Sequence, residues 1–356
     1  MNSQYTRRLE KIEAVLDLRL PASPDAAWIA STFGPLPSAP DTELAKTLTE
    51  GGRDLLDRGG KRWRPLMMAL VCETLGGGDE AVPLTPLVEL PHNGSLVHDD
   101  IEDNSDERRG KPSIHVLYGL DAGINSGSFL YFLPLACLDG WRADAERKNR
   151  VFAAWGRHLR RIHLGQAMDI AWHRNYSSLP GVEEYELMCR LKTGVLARMA
   201  AELGVYAAGN AVALGDATEE VLAERLGRAA ENLGVGFQIL DDVKNLTTGN
   251  PGKKRGDDIV EGKKSLPVIL FLRQRADRAE FVTRCFSAAR AGGTGAREVE
   301  ELISEMDKAG TIEEARRRGA GLVREAAESL DSSAFEGIET DAGAKELLSG
   351  LTALIG

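Results

Sequence analysis

The chain has 356 residues, 43% of them hydrophobic and 28% charged, a balance that supports a sizeable core without cross-links and allows two domains or one large one. Its formal net charge of −10 excludes a general basic field for nucleic acid, so an anionic ligand must be met by locally placed cations or by metal ions. The four cysteines, Cys72, Cys137, Cys189 and Cys285, form no C-x-x-C pair and fit reduced thiols of a cytosolic interior better than a disulfide scaffold or a zinc site.

The N-terminal run MNSQYTRRLEKIEAVLDLRL alternates charge with leucine, which predicts a helix and not a signal peptide. Pro21 to Asp41 carries five prolines and reads as irregular. Residues 1–41 are therefore expected to be a helical extension with a proline-rich connection, and 42–356 a single all-helical domain. Within that domain apolar residues recur at three- and four-residue spacing, as at Val195, Met199, Leu203 and Tyr206, or Leu222, Leu226, Ala229 and Leu233. Gly76–Gly78, Gly249–Gly252 and Gly292–Gly295 punctuate the helices, and no alternating β-branched run bounded by hairpin turns stands out. The longest apolar stretch, Phe129 to Leu138, is ten residues with Pro134 inside it, too short to span a bilayer; a cytoplasmic location is expected.

Two acidic clusters follow apolar runs: Asp99, Asp100 and Asp103 in SLVHDDIEDNSDERRGKP, and Asp241, Asp242 and Asn245 in FQILDDVKNL. On a helix, positions i and i+4 share a face, so Asp99 and Asp103 point the same way, as do Asp241 and Asn245. Like charges so spaced repel, and a divalent metal offsets them; Mg²⁺ prefers carboxylate, water and phosphate oxygens. A single cluster of this kind is as readily a solvated helix end. Two clusters, each with basic residues downstream, favour a metal–diphosphate site: Arg108 and Arg109 follow the first, and Lys253, Lys254, Lys263 and Lys264 the second.

Three further segments carry polar residues of interest. GGKRWRP holds Lys61, Arg62 and Arg64 ahead of a helix started by Pro65; alone it is more often an exposed basic loop than an anion site. His92 lies two helical turns before Asp99 on the same side, and Gln166 and Asp169 lie a turn apart on one face. Lys192-Thr193-Gly194 means little by itself.

Together GGKRWRP, LVHDDIEDNSDERRGKP, GQAMD, KTG, FQILDD and GKKRGDDIVEGKKSLP resemble, in order and over about residues 55–270, the trans-isoprenyl diphosphate synthases or polyprenyl synthetases, most of all the geranylgeranyl diphosphate synthases. The resemblance implies an all-α bundle of long helices around a deep central cavity, usually as a homodimer, with Mg²⁺, three ions per site, as cofactor. It implies condensation of isopentenyl diphosphate with an allylic diphosphate (dimethylallyl, geranyl or farnesyl). Asp99 and Asp103 would hold two of the ions on the allylic diphosphate, with Asp100 beside them, and Asp241 the third, with Asp242 in support. Arg108, Lys192 and Lys253 would grip the same diphosphate. Lys61, Arg64, His92 and Arg109 would hold isopentenyl diphosphate, Gln238 and Thr193 would complete the polar lining, and Lys263 would bind substrate. Metals and cations would stabilise the leaving diphosphate, and the double bond of isopentenyl diphosphate would attack the allylic cation in a dry cavity.

Three residues depart from the family pattern: Asn245 replaces the last aspartate of the second motif, Pro91 sits inside the helix of the first and is expected to remove a backbone bond and kink it, and Trp63 replaces a smaller aliphatic residue. Product length would be set by Gly94 and Ser95, about a turn before Asp99 and both small, with Tyr131, Phe132 and His163 as candidate floor; geranylgeranyl diphosphate is the expected product. A class I terpene cyclase shares the acidic motifs but has no need of Lys61, Arg64 and Arg109 for a second diphosphate. A non-catalytic partner subunit would be expected to have lost an acidic motif, and a helical scaffold leaves the order of six motifs unexplained.

Overall fold

The computed structural model describes residues 3–38, 40–175, 178–209, 218–249 and 254–355. The helix-forming composition acts almost everywhere, and the described chain separates into two compact units whose dividing points fall inside helices.

The first unit comprises residues 1–156, 199–227 and 330–355. It opens with α1 (Ser3–Arg19), α2 (Ala26–Phe33) and α3 (Thr42–Asp57). Asp25 and Asp41 cap α2 and α3 by accepting from the Trp28 and Glu43 amides (2.7 and 3.0 Å), satisfying donors a helix start leaves open. Then come α4 (Trp63–Thr74) and α5 (Pro86–Glu102), with proline at the first position of α5, where its missing N–H costs nothing. Pro91 lies inside α5 without breaking it: Leu87, Val88 and Leu90 around it are fully buried, and their packing outweighs one lost backbone bond. A two-residue ladder, β1 (Glu107–Arg108) with β2 (Lys111–Pro112), pairs Arg108 with Lys111. After it follow α6 (Ile114–Tyr118), α7 (Leu120–Phe132), α8 (Ala136–Gly140) and the start of α9 (Ala145–Arg174). The N-terminal helix is built into this unit: Ile12 and Leu16 are fully buried, and the Tyr5 hydroxyl donates to the Leu347 carbonyl (2.7 Å).

The second unit comprises residues 157–198 and 228–329. It holds the rest of α9, then α10 (Val182–Cys189), a π-helical turn (Arg190–Gly194) and the start of α11 (Val195–Ala208). The C-terminal part of α12 (Glu219–Thr247) follows, with α13 (Asp257–Glu261), α14 (Leu266–Gln274), α15 (Ala279–Gly292), α16 (Arg297–Lys308) and most of α17 (Thr311–Asp331). Tyr185, Ile239, Phe271, Phe286, Leu302 and Met306 are buried in its core. The last helix, α18 (Ala342–Ile355), returns to the first unit, and no helix among the described residues is long and apolar enough to cross a membrane.

Candidate active site

In the first unit the turn between α3 and α4 is forced into left-handed backbone. Gly59 and Gly60 take φ of 85° and 156°, and Arg62, which has a side chain to strain, takes 48°. A Cβ on Gly60 would stand 2.9 Å from the Arg62 guanidinium, so a side chain here would also press on a group pinned by its own hydrogen bonds. Lys61, Arg62, Trp63, Arg64, Glu89, His92 and Arg109 line one cavity of ≈ 190 Å³, which brings together the four residues expected to hold isopentenyl diphosphate. Trp63 is buried, with the Arg64 guanidinium 4.5 Å over its ring, so the larger side chain here supports a cradle cation.

The cradle cations are fixed before any ligand arrives. Arg109, itself at φ 54°, donates to the carbonyls of Leu55 (3.0 Å) and Gly59. Arg64 donates to His92 Nε2 across 3.4 Å. Burial pulls Arg64 down to about 10 and lowers Arg109 as well. His92 is held well below its usual value, first by burial and then by Arg64, Arg109, Arg62 and Arg108, so it stands neutral at pH 7 and can accept or donate one bond.

Two arginines that the sequence did not single out as ligand-binding hold this region. Arg58, its side chain fully buried, donates to the carbonyls of Arg108 (3.0 Å) and Pro112 (2.9 Å) and pairs with Asp54 (2.8 Å), clamping the ladder that carries Arg108 and Arg109. Arg62 donates to Glu89 (3.0 Å), Glu13 (2.9 Å) and the Leu56 carbonyl (2.7 Å). The sequence signal for Arg58 is its spacing of four from Asp54 on a helix. Nothing in the spacing could link Arg62 to Glu13.

Asp99, Asp100 and Asp103 end α5, where the helix dipole presents its negative end and a cation is needed. Arg108 supplies one: its Nε donates to Asp100 Oδ1 (2.8 Å), and its Nη2 to the same oxygen and to Asp99 Oδ2 (3.4 Å). Asp100 is fully buried, while Asp99 and Asp103 are half-buried. The donor set is hard oxygen already facing a cation, which fits Mg²⁺. No three acidic, histidine or cysteine side chains among the described residues converge on one point, and Mg²⁺ needs only one or two carboxylates, with water and phosphate completing its shell.

Gly94 packs against α7, where a Cβ would meet the Gly127 carbonyl oxygen at 2.7 Å and Leu130 at 3.1 Å. Tyr131 is buried 5.6 Å from the His98 ring. Ser95 donates to the His92 carbonyl (2.7 Å), while Phe132 is 65% exposed. His163 lies in the second unit on an exposed stretch of α9.

In the second unit the π turn Arg190–Gly194 carries the KTG triplet. Such turns are rare and cluster at functional sites. Lys192 Nζ donates to Asp169 Oδ2 (2.6 Å). Gly165 of the GQAMD run lies directly beneath: a Cβ there would overlap the Lys192 backbone nitrogen and stand 2.7 Å from the Leu191 carbonyl carbon. The Thr193 hydroxyl donates to Gln238 Oε1 (2.8 Å), and Gln238 Nε2 to Asp242 Oδ1 (2.9 Å). The Tyr185 hydroxyl donates to the other Asp242 oxygen (2.6 Å). Burial lifts Asp242 to about 6 against the lowering effect of these donors. Asp241, its neighbour, is exposed.

Asn245 faces inward, fully buried, and its side-chain oxygen accepts the Asp258 amide (3.3 Å). The residue that departs from the family pattern thus pins the start of α13. Lys263 pairs with Glu261 (2.5 Å). Its neighbour Lys264 is 3% exposed, lowered to about 8 by burial and set 4.5 Å over the Phe286 ring. Lys253 lies outside the described residues.

An all-helical chain with a basic cradle and two aspartate-bearing helices defines an isoprenoid-synthase type of protein. The polyprenyl synthetase family model matches residues 45–306, and the chain belongs to that family of prenyltransferases. It is 36% identical over 237 residues to the geranylfarnesyl diphosphate synthase of Aeropyrum pernix, covering 64% of this chain and 71% of that one. It is 31% identical over 287 residues to the geranylgeranyl diphosphate synthase of Methanosarcina mazei, covering 80% and 83%. Among solved structures, geranylgeranyl pyrophosphate synthetase from Pyrococcus horikoshii Ot3 superposes with a TM-score of 0.79 at 27% identity, over 99% of this chain and 97% of that one. The family uses isopentenyl and allylic diphosphates and generally Mg²⁺.

Proposed function

We propose that the protein elongates an allylic diphosphate with isopentenyl diphosphate, and that geranylgeranyl diphosphate is the product. The observation that carries this reading is the cradle of the first unit. Lys61, Arg64 and Arg109 around one cavity suit the diphosphate of a second substrate, for which a terpene cyclase has no use. Neutral His92 adds one hydrogen bond there without further charge. Asp99 and Asp103, with Asp100 locked behind them by Arg108, are the proposed Mg²⁺ ligands in the first unit, and Asp241 that in the second. Lys192, Thr193, Gln238, Lys253 and Lys263 are the proposed polar grips of the second, with Asp242 holding Gln238. Mg²⁺, three ions when the site is full, stabilises the charge that builds on the leaving diphosphate. Residues 42–356 act as one catalytic domain in this reading.

Tyr131 is the proposed floor for the growing chain, supported by its burial against His98 and by the tight Gly94 contact beside it. A homodimer is supported by the exposed apolar residues Val116, Leu117, Leu120, Ile124 and Phe132 on α6 and α7.

Mass spectrometry of products from isopentenyl diphosphate with dimethylallyl, geranyl and farnesyl diphosphates, each with Mg²⁺, tests the reading. A linear prenyl diphosphate that disappears with EDTA and drops about 10²–10³-fold in rate in Asp99→Ala is expected. A cyclic hydrocarbon or alcohol would select the cyclase, and a product longer than geranylgeranyl would replace the length assignment.

A further inference from the structure

Arg62 carries the left-handed step between Lys61 and the start of α4, and its guanidinium is held by three elements. Nε donates to Glu13 of α1 (2.9 Å), Nη1 to Glu89 of α5 (3.0 Å), and Nη2 to the Leu56 carbonyl of α3 (2.7 Å). The Arg62 and Glu89 side chains are each 4% exposed and sit in the wall of the cradle, while the Glu13 side chain caps the node from the surface at 42% exposed. Two carboxylates absorb the charge of Arg62, which makes it an anchor and leaves ligand charge to its neighbours. Glu13 lies outside residues 45–306, the segment that carries the family match.

Building on the synthase reading, we propose that Glu13 is a positioning residue for the isopentenyl diphosphate site. By tying Arg62 to the N-terminal helix, it fixes the strained turn that presents Lys61 and Arg64 to the cavity. Glu13 touches no ligand in this role. The helix itself is docked by other contacts: Arg8 with Glu73 (2.9 Å), Lys11 with Asp79 (2.5 Å), and buried Ile12 and Leu16. Truncating Glu13 therefore unties the turn from α1, with Arg62 still held by Glu89 and the Leu56 carbonyl, without releasing the helix.

Charge and geometry pull in opposite directions, which makes the test sharp. Loss of a carboxylate near the cradle would by Coulomb's law tighten an anion, whereas loss of the tether loosens its site. Glu13→Gln keeps an acceptor for Arg62 Nε and removes the charge; Glu13→Ala removes both. Steady-state kinetics are expected to show KM for isopentenyl diphosphate raised about 3–10-fold in Glu13→Ala, the net worth of one ordinary hydrogen bond, since the Glu13 side chain is 42% exposed. The kcat and the KM of the allylic substrate are expected to stay near wild type in both variants, and the KM for isopentenyl diphosphate in Glu13→Gln to stay at or below it. Unchanged or lower KM for isopentenyl diphosphate in Glu13→Ala would overturn the proposal, as would an equal rise in Lys11→Met, which loosens α1 without touching Arg62. If the wild-type chain elongates no primer, the synthase reading fails on its own. Calorimetric titration with inorganic pyrophosphate in EDTA then still decides: weaker binding by Glu13→Ala than by Glu13→Gln sustains the tether, and equal binding sinks it.

Discussion

In the first unit the charged groups are immobilised by carbonyls and carboxylates from several elements: Arg58 and Arg109 donate to carbonyls, and Arg62 bridges two carboxylates and a carbonyl on a strained turn. In the second unit the holding is done largely by side chains in series, Thr193 to Gln238 to Asp242, with Tyr185 and the Leu266 amide (3.4 Å) both donating to the far Asp242 oxygen. The contrast follows from the charge each region must keep. Several cations crowded beside one another need fixed, compensated positions, since mutual repulsion would otherwise swing them into solvent. A single buried carboxylate needs only donors, and neutral side chains supply them.

The largest effect expected from breaking this comparison falls on the first unit. Arg62→Leu removes the ion-pair partner of buried Glu89, leaving it the Asn93 amide (3.0 Å), and should lower unfolding free energy by about 3 kcal/mol, read from urea transitions. On the other side, Gly165→Ala pushes a methyl into the Lys192 backbone and should cost about 1–3 kcal/mol, with a raised KM for the allylic diphosphate. A melting temperature and KM equal to wild type would mean that the π turn tolerates displacement. Tyr185→Phe removes one donor from Asp242 and should cost about 0.5–1.5 kcal/mol, with a higher Mg²⁺ concentration for half-activation.

The smallest effect is on pH. His92 has its proton affinity depressed from an unfolded value of 6.5, so its share of stability is complete above 6.5 and is lost as pH falls from there through the lower folded value. The melting temperature of the metal-free protein should fall below pH 6.5 less steeply in His92→Gln than in wild type. Identical slopes would mean that His92 is not buried neutral.

Much of this was legible before any coordinates. The helical class follows from composition and three- and four-residue spacing, since α periodicity is local. The aspartate pairs were found because two carboxylates on one helix face are a local conflict that demands a cation. Lys61, Arg64, His92 and Arg109 were grouped by resemblance, and the ≈ 190 Å³ cavity gathers them. Pro91 costs its helix a backbone bond, yet one helix spans Pro86–Glu102, because the penalty is local and the compensating burial of its flanks is not. Asn245 read as a weakened metal-motif residue, but its side chain turns inward to the Asp258 amide.

The sequence by itself determined the periodicity, the family and the chemistry of the site, because helix spacing and motif order are properties of short segments. Tertiary structure alone decided that Arg62 is an anchor, because its partners lie on three other helices. Arg62 is told from its neighbours Lys61 and Arg64 in space, where Glu13 and Glu89 accept from its guanidinium. Tertiary structure also decided why Gly165 must be glycine, since the group it makes room for lies on another segment of the chain. Distance along a chain does not fix distance in space, and the energies of burial and pairing depend on the latter.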